Sequence, residues 1–425
     1  MVPKLLGQLH TCWSTTLCIC RLEELWNALE NLSESCGDEV AFAALAALAA
    51  TASFAQSSVQ IDGILDAGVQ AINYKGNKVT AIGGNGSSTS QLNVRGSEDL
   101  GGGLKAEFRV ETDWNVVSNV ANTGAASSVN ATANNLANSI NSGVGTFGNG
   151  EIRVGVAGGF GRVDLGAVNY NTLGTFLLGQ PFGTAIGSGF RTFTINDANA
   201  TSQVRAENAI KYVSPSFNGL TVSLYKSNKQ TKASTGTASS TSGIVPQPNG
   251  FSTSPGAYDQ QGTTEVGVNY ANGPIAASFS NLKQDWTSVA ALNSTGAAGG
   301  KDYTINTAAA KYTFGAASLS GLYQTNKADT TVNNEALTVS GTYTMGAVVL
   351  MAQTGANKNK VNNTKSKLTG IGADYNLSKR TALYFRAETI DNAGGTMNAA
   401  VVSSAIAGTD TNKFARTAVG LRHSF

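Results

Sequence analysis

From Val59 onward the side chains alternate in character. Val59, Ile61, Gly63, Leu65, Ala67 and Val69 are apolar or small, while Gln60, Asp62, Asp66 and Gln70 take the other parity. Leu104, Ala106, Phe108 and Val110 alternate with Lys105, Glu107, Arg109 and Glu111. Leu337, Val339 and Tyr343 alternate with Thr338, Ser340 and Thr342. Successive side chains of a strand point to opposite faces, so each segment predicts a strand with one apolar and one hydrophilic face.

In a soluble sandwich the apolar faces would meet in a core. Here they consist largely of single Val, Leu, Ile, Phe and Tyr residues, and the opposite face is rich in Gly, Ser, Thr, Asn and charge. That pattern predicts an all-β fold, a transmembrane β-barrel that is apolar toward lipid and polar toward its lumen. Short joints fall at 99–103, 158–160, 214–219, 271–274, 314–316, 345–346 and 376–380. Between them lie longer polar stretches near 75–90, 114–149, 169–206, 227–263, 286–302, 327–335, 356–367 and 391–412. Seven short and eight long connections give 16 antiparallel strands, with short periplasmic turns and long extracellular loops. Unpaired backbone facing lipid costs several kcal/mol, so the strand near Val59 is expected to close against the one ending at Phe425. A barrel of this size leaves an aqueous channel.

Composition removes other chemistries. All four Cys lie before residue 37, and His423 is the one His after His10, so a thiolate site, a His-rich metal site or a Ser-His-Asp triad is excluded from the strand-forming region. The Gly296–Asp302 stretch lacks the spacing and hydroxyl of a phosphate-binding loop, and no nucleophile elbow occurs. The expectation is a protein that is not an enzyme and carries no cofactor or metal. A formal charge of +2 gives no reason to expect nucleic acid as a partner.

Val40–Ala55 reads VAFAALAALAATASFA, too short to span a membrane as a helix but fitting a signal peptide cleaved after Ala55. Residues 1–39, with an acidic, Cys-bearing stretch where a basic n-region belongs, read as a leader from a misplaced start. A buried Ala-rich helix is the alternative for 40–55. Without residues 1–55 the net charge rises from +2 to +6.

Four blocks carry a family resemblance: LNVRGSEDLGGGLKAEFRVE (92–111), NAIKYVSPSFNGL (208–220), DYNLSKRTALY (374–384) and GLRHSF (420–425). Residues 56–425 resemble the general porins of the β-proteobacterial type. The resemblance implies a homotrimer in the outer membrane, in contact with outer-membrane lipid, inserted by the barrel-assembly machinery and passing small hydrophilic solutes and ions by passive diffusion. It also implies a third loop folded into the lumen. Here that loop runs from Asn169 to about 206 and carries Leu173, Phe176, Leu177, Leu178, Phe182, Ile186, Phe190 and Phe193. So many large apolar residues suit a segment packed on the inner wall; an additional strand pair is the alternative. Val419, Leu421, His423 and Phe425, on one parity, resemble the barrel-insertion signal, and Phe425 alternatively serves as an interfacial aromatic.

Parity by itself turns Arg95, Lys105, Arg109, Arg153 and Arg162 inward, together with Glu111, Asp113 and Asp164. An arginine facing lipid at mid-depth would cost ~2–4 kcal/mol. Arg95, Arg109 and Arg153 are candidates for a basic wall at the constriction, with Lys105 and Arg162 beside them and Asp197 as the facing acid on the loop; the alternative is that each is an ordinary hydrated lumen residue. The chain departs from the family at Ala167, where an Arg is common, and at Arg153, where an aromatic is common. Arginines in a pore attract anions, so a mild anion preference is expected. Two other readings stand beside this one: a substrate-specific outer-membrane channel, and a secreted β-rich adhesin. The adhesin would show a fixed repeat, which the unequal connections do not.

Overall fold

The alternation places apolar side chains outward on strand after strand. In a computed structural model of the chain, Val59 and Ile61 are 67% and 64% exposed, and Leu165, Leu224, Phe279, Leu319, Val339 and Val419 lie bare on the same outer face. Inner-face neighbours such as Ser280, Thr307, Gln324, Thr338 and Ser340 are buried. A soluble sheet shows the inverse. The structure describes residues 57–74, 77–114, 116, 147–190, 204–228, 262–285, 302–328, 332–393 and 413–425. The 1–39 leader, the 40–55 signal peptide, Phe193 and Asp197 lie outside them.

Among the described residues, seventeen strands form one antiparallel sheet. They are β1 (Ser58–Tyr74), β2 (Asn77–Gly84), β3 (Gln91–Gly101), β4 (Leu104–Asp113), β5 (Ile152–Gly158), β6 (Gly161–Asn169), β7 (Arg205–Val213), β8 (Leu220–Ser227) and β9 (Gly262–Asn272). Then follow β10 (Ile275–Asp285), β11 (Tyr303–Phe314), β12 (Ala317–Ala328), β13 (Val332–Met345), β14 (Val348–Asn359), β15 (Thr364–Asn376), β16 (Thr381–Ala393) and β17 (Lys413–Ser424). A helix, α1 (Asn171–Leu178), follows β6. The sheet closes where β1 pairs with β17, from Ile64↔Ser424 to Tyr74↔Phe414. No helix among the described residues is long and apolar enough to cross a membrane.

β2 and β3 occupy one position, since both pair with β1, so the barrel has 16 staves. Between them, residues 85–90 stand opposite only Leu65 and Asp66. Buried Asp66 holds this insertion: its carboxylate accepts the N–H groups of Gly86 (3.2 Å), Ser87 (2.8 Å) and Ser88 (2.7 Å) and the Tyr384 hydroxyl (2.7 Å). The polar stretch at 75–90 is therefore mostly strand plus insertion rather than an open loop. Strands likewise run into the stretches at 327–335 and 356–367, because a ladder that rises beyond lipid is wet on both faces and loses its alternation. The seven short joints fall where expected.

A bulge completes the wall near the inserted segment. Gly166 pairs with Ala209 but Val168 with Ala206, so β7 carries one extra residue, and Asn208 there takes a left-handed φ of +57°. The bulge lets Ala206 and Ala209, three apart, both face inward, where they join Val168, Tyr170, Tyr225, Leu282 and Ile305.

Candidate functional site

Two structures face the lumen: a ladder of charges on the early strands and the segment that follows β6. The ladder starts on β1 and β3, where Arg95 Nε donates to Asp62 Oδ2 (2.6 Å) and Asn93 Nδ2 to Asp62 Oδ1 (3.2 Å). Asn93 Oδ1 accepts in turn from Arg109 Nη2 on β4 (2.9 Å). Arg109 also pairs with Glu111 and donates to Glu151 (2.9 Å). Arg153 on β5 reaches Asp164 (2.7 Å), Glu107 (3.7 Å) and Glu151 (3.9 Å), and Arg162 on β6 completes a clamp on Asp164 (2.8 Å). Arg205 lies 4.0 Å from Glu111.

The ladder thus brings Arg95, Arg109, Arg153 and Arg162 into one connected array, but not as bare positive charge. Each guanidinium stands against a carboxylate. Arg95 is the most open, its side chain 49% exposed, so its pair is weak in water. The Arg153–Asp164 pair is the most enclosed, with the Asp164 side chain fully buried, and removing one member would cost ~3–5 kcal/mol. Lys105 lies on the same face, exposed.

The segment after β6 begins with α1, a helix the strand pattern did not foretell. Its N-cap, Tyr170, supplies no side-chain cap, and no acid lies in its first turn. The wall supplies both. Glu265 on β9 accepts the N–H groups of Asn171 (2.5 Å) and Thr172 (2.7 Å) and the Thr172 hydroxyl (2.7 Å). Its carboxylate satisfies two of the free donors at the positive end of the helix. Asn171, Thr172 and Thr175 continue the polar seam to Ser278 and Ser280 of β10.

The apolar residues of this segment bury against the wall unequally. Phe176 and Phe182 are buried; Phe176 meets Leu322 and Ala309, with Leu178 and Phe190 alongside, while Leu177 is 41% exposed and Leu173 half-buried. The chain then crosses later strands. Ser340 donates to the Gly179 carbonyl (3.2 Å), Gln353 to that of Ser188 (3.3 Å), and Thr184 bonds Thr89 in the 85–90 insertion (3.0 Å). Glu388 on β16 accepts the N–H groups of Gly187 (3.0 Å) and Gly189 (2.8 Å) while Arg416 holds its other oxygen (2.6 Å). Gly370 makes room for the crossing: a Cβ there would stand 3.0 Å from the Gly187 carbonyl carbon. Arg386 lies over the Phe182 ring at 5.9 Å and pairs with Asp374 (2.8 Å). Residues 171–190 are therefore fixed to the inside of the wall from β9 to β16, with no added strand pair.

The residues that hold this segment, Glu265, Arg386, Glu388 and Arg416, are absent from the sequence expectations, as is Glu151 of the ladder, while Asp62 is read on the polar face of its strand but not among the site residues. The parity applied to the early strands finds them too: Arg386 and Glu388 alternate with exposed Leu383 and Phe385, and Glu265 lies next to exposed Val266. Val419 and Leu421 on β17 and Phe425 just past it are exposed on the outer face, and His423 Nδ1 lies 2.9 Å from the Thr381 hydroxyl.

The model of the Gram-negative porin family matches residues 41–395. Outer membrane porin protein 32 of Delftia acidovorans is 31% identical over 397 residues, covering 90% of this chain and 98% of that protein. The solved anion-selective porin from Comamonas acidovorans is 26% identical, with a TM-score of 0.64 over 87% of this chain and 100% of its own. A trimer form of OmpT, an outer membrane protein of Vibrio cholerae, shares the fold at 15% identity and a TM-score of 0.55, covering 87% of this chain and 99% of its own. An outward apolar belt, a sheet closed on itself and a segment fixed across its inner wall agree with these matches: the chain belongs to the Gram-negative porin family and is an outer-membrane porin.

Proposed function

We propose that the ladder and residues 171–190 together form the constriction of a water-filled channel through which small hydrophilic solutes and ions diffuse passively, with a mild preference for anions. The observation that carries the reading is the side-by-side array of Arg95, Arg109, Arg153 and Arg162 on the part of the wall that α1 leaves bare. Positive side chains lining a narrow aqueous passage raise the local concentration of anions. Interleaved carboxylates make the preference mild. The excess of base over acid lies with groups such as Lys105 and with Lys211, which donates to the Asn169 carbonyl (2.8 Å) rather than to a carboxylate. The solved structure named above as anion-selective supports the sign.

In this reading Leu173, Phe176, Phe182 and Phe190 anchor the constriction segment, and Phe193 and Asp197 belong to its continuation. Residues 40–55 direct export and are removed. Val419, Leu421, His423 and Phe425 present the outward edge that the assembly machinery reads, and three copies associate, as the OmpT trimer form supports. The test is planar-bilayer recording of the purified protein. A large ohmic step with a reversal potential of anionic sign under a salt gradient is expected. A small conductance that saturates with one solute would replace this reading with a substrate-specific channel, and cationic selectivity would refute the assigned sign.

A further inference from the structure

The helix α1 has two unlike faces. Asn171, Thr172, Thr175 and Phe176 are buried against the wall, whereas Gly174 and Leu177 are exposed and Leu173 is half-buried. Positions 173 and 177 lie one turn apart, so the two leucines form a short apolar ridge on the lumen side of the helix. Holding the helix does not require leucine on that side, because the polar seam and Phe176 already fix it to the wall. No charge interrupts the ridge either: residues 170–190 contain no Asp, Glu, Lys or Arg.

The ridge stands opposite the arginines. Its helix is seated on β10, β11 and β12 through Ser278, Ser280, Ala309 and Leu322, and these strands are the ninth, tenth and eleventh staves counted from β1. Arg95 and Arg109 lie on the second and third staves. Eight staves separate β3 from β11 and β4 from β12, half the circumference of a ring of 16. The two sides also share one level of the lumen. Glu151 accepts from Arg109 (2.9 Å) through one oxygen and, through the other, from the Asn169 N–H (3.0 Å), two residues before the helix. At this level the passage has a guanidinium side and an aliphatic side.

We propose that Leu173 and Leu177 are specificity-determining residues that favour small monocarboxylates with an apolar tail over hydroxylated ones of equal charge and similar size. The inference rests on the channel reading above and adds to it: charge selects anions, and the ridge sorts among them. Arg95, the most open guanidinium of the ladder, and Arg109 draw the carboxylate, while a hydrocarbon tail gains by covering the leucines. About 40 Å² of apolar contact at ~25 cal/mol per Å² corresponds to roughly fivefold in partitioning. A hydroxylated tail loses water at the ridge and finds no hydrogen bond in exchange. An attraction of this size still lets the solute leave, so it raises flux rather than blocking the passage.

The test is bi-ionic recording of the purified protein in planar bilayers at alkaline pH, where carboxylates are ionised. Potassium chloride bathes one side and potassium hexanoate or potassium threonate the other, with protein-free membranes as the baseline. Wild type is expected to pass hexanoate over threonate about fivefold beyond the ratio of their free-solution mobilities. Leu177→Gln keeps side-chain length and helix propensity but removes apolar surface, and it should bring that excess below about twofold; Leu177→Met should keep it. The two anions share one charge and are close in size, so a change of pore width moves both and leaves their ratio alone. Arg95→Gln should lower both permeabilities and preserve the ratio. A wild-type ratio equal to the mobility ratio overturns the proposal. So does an excess that survives in Leu177→Gln, or one that collapses in Arg95→Gln, which would put the tail against the charged wall. Chloride conductance in the same membranes tests the channel reading separately: its absence sinks that reading, whereas a chloride channel blind to the tail sinks this inference alone.

Discussion

Gly63 and Phe425 exchange backbone hydrogen bonds at the seam of the barrel, the Gly63 N–H donating to Phe425 O at 3.2 Å and the Phe425 N–H to Gly63 O at 3.1 Å. The Phe425 ring lies over the glycine, where a Cβ would stand 2.6 Å from its Cζ. The smallest residue on β1's outer face thus sits where the ring needs room.

Gly63→Val should force the ring off the seam at a cost of about 1–3 kcal/mol, the usual range for overpacking. The expected result is a lower denaturant midpoint for the folded, fast-migrating band on semi-native gels, with Phe425→Leu milder than Gly63→Val. An unchanged midpoint for Gly63→Val would show that the ring does not hold the seam.

Glu265 governs how α1 is held. Glu265→Gln keeps an acceptor for the helix amides but loses the charge and should be the milder change. Glu265→Ala leaves buried N–H groups at the helix start without an acceptor and should cost ~2–4 kcal/mol locally, at about 1–3 per unsatisfied group. Single-channel records of Glu265→Ala should show larger or noisier openings than wild type; variant traces as quiet as wild type would mean that the helix is held elsewhere.

Selectivity should respond with opposite signs to the two kinds of charge in the ladder. A unit charge about 5 Å from a passing ion in water is worth about 0.8 kcal/mol, roughly fourfold for each ion and, with opposite signs for anion and cation, roughly sixteenfold in their permeability ratio. Arg109→Ser should therefore lower the anion-to-cation ratio by up to about that factor, and Glu151→Gln should raise it. Reversal potentials in a potassium chloride gradient report both. Movement of the two variants in the same direction would break the link between the ladder and selectivity.

The same preference should fade as salt rises, because the screening length shrinks from about 10 Å at 0.1 M to about 3 Å at 1 M. A permeability ratio that is constant over this range would point to steric rather than electrostatic selection.

Gly370 lies against the backbone of Gly187, so Gly370→Val should push the crossing segment toward the lumen axis. Conductance should fall while the barrel still folds, since the change does not touch the outer face. An equal or larger conductance would place the narrowest point away from this crossing.

Much of the wall is written in alternation. Leu104, Ala106, Phe108 and Val110 read outward, and Arg109 and Glu111 inward, before any pairing is known, because a strand has only two faces and lipid tolerates one kind of residue. Parity equally assigns Arg386 and Glu388 on β16. What it cannot say is that Glu388 holds Gly187, 201 positions earlier. The 85–90 insertion was also illegible, because NGSSTS reads as a loop whether or not Asp66 gathers its amides.

Sequence alone settled the architecture: a two-residue period, short turns alternating with long loops and an apolar outer face admit a closed barrel in lipid and little else. Tertiary structure alone decided the interior. Whether an inward arginine meets a carboxylate or open water depends on which strands become neighbours and in what register, and the helix after β6 acquires its cap from a strand about 90 residues away. Local pattern fixes the face on which a side chain lies; its partner on that face is set by closure of the chain over long separations.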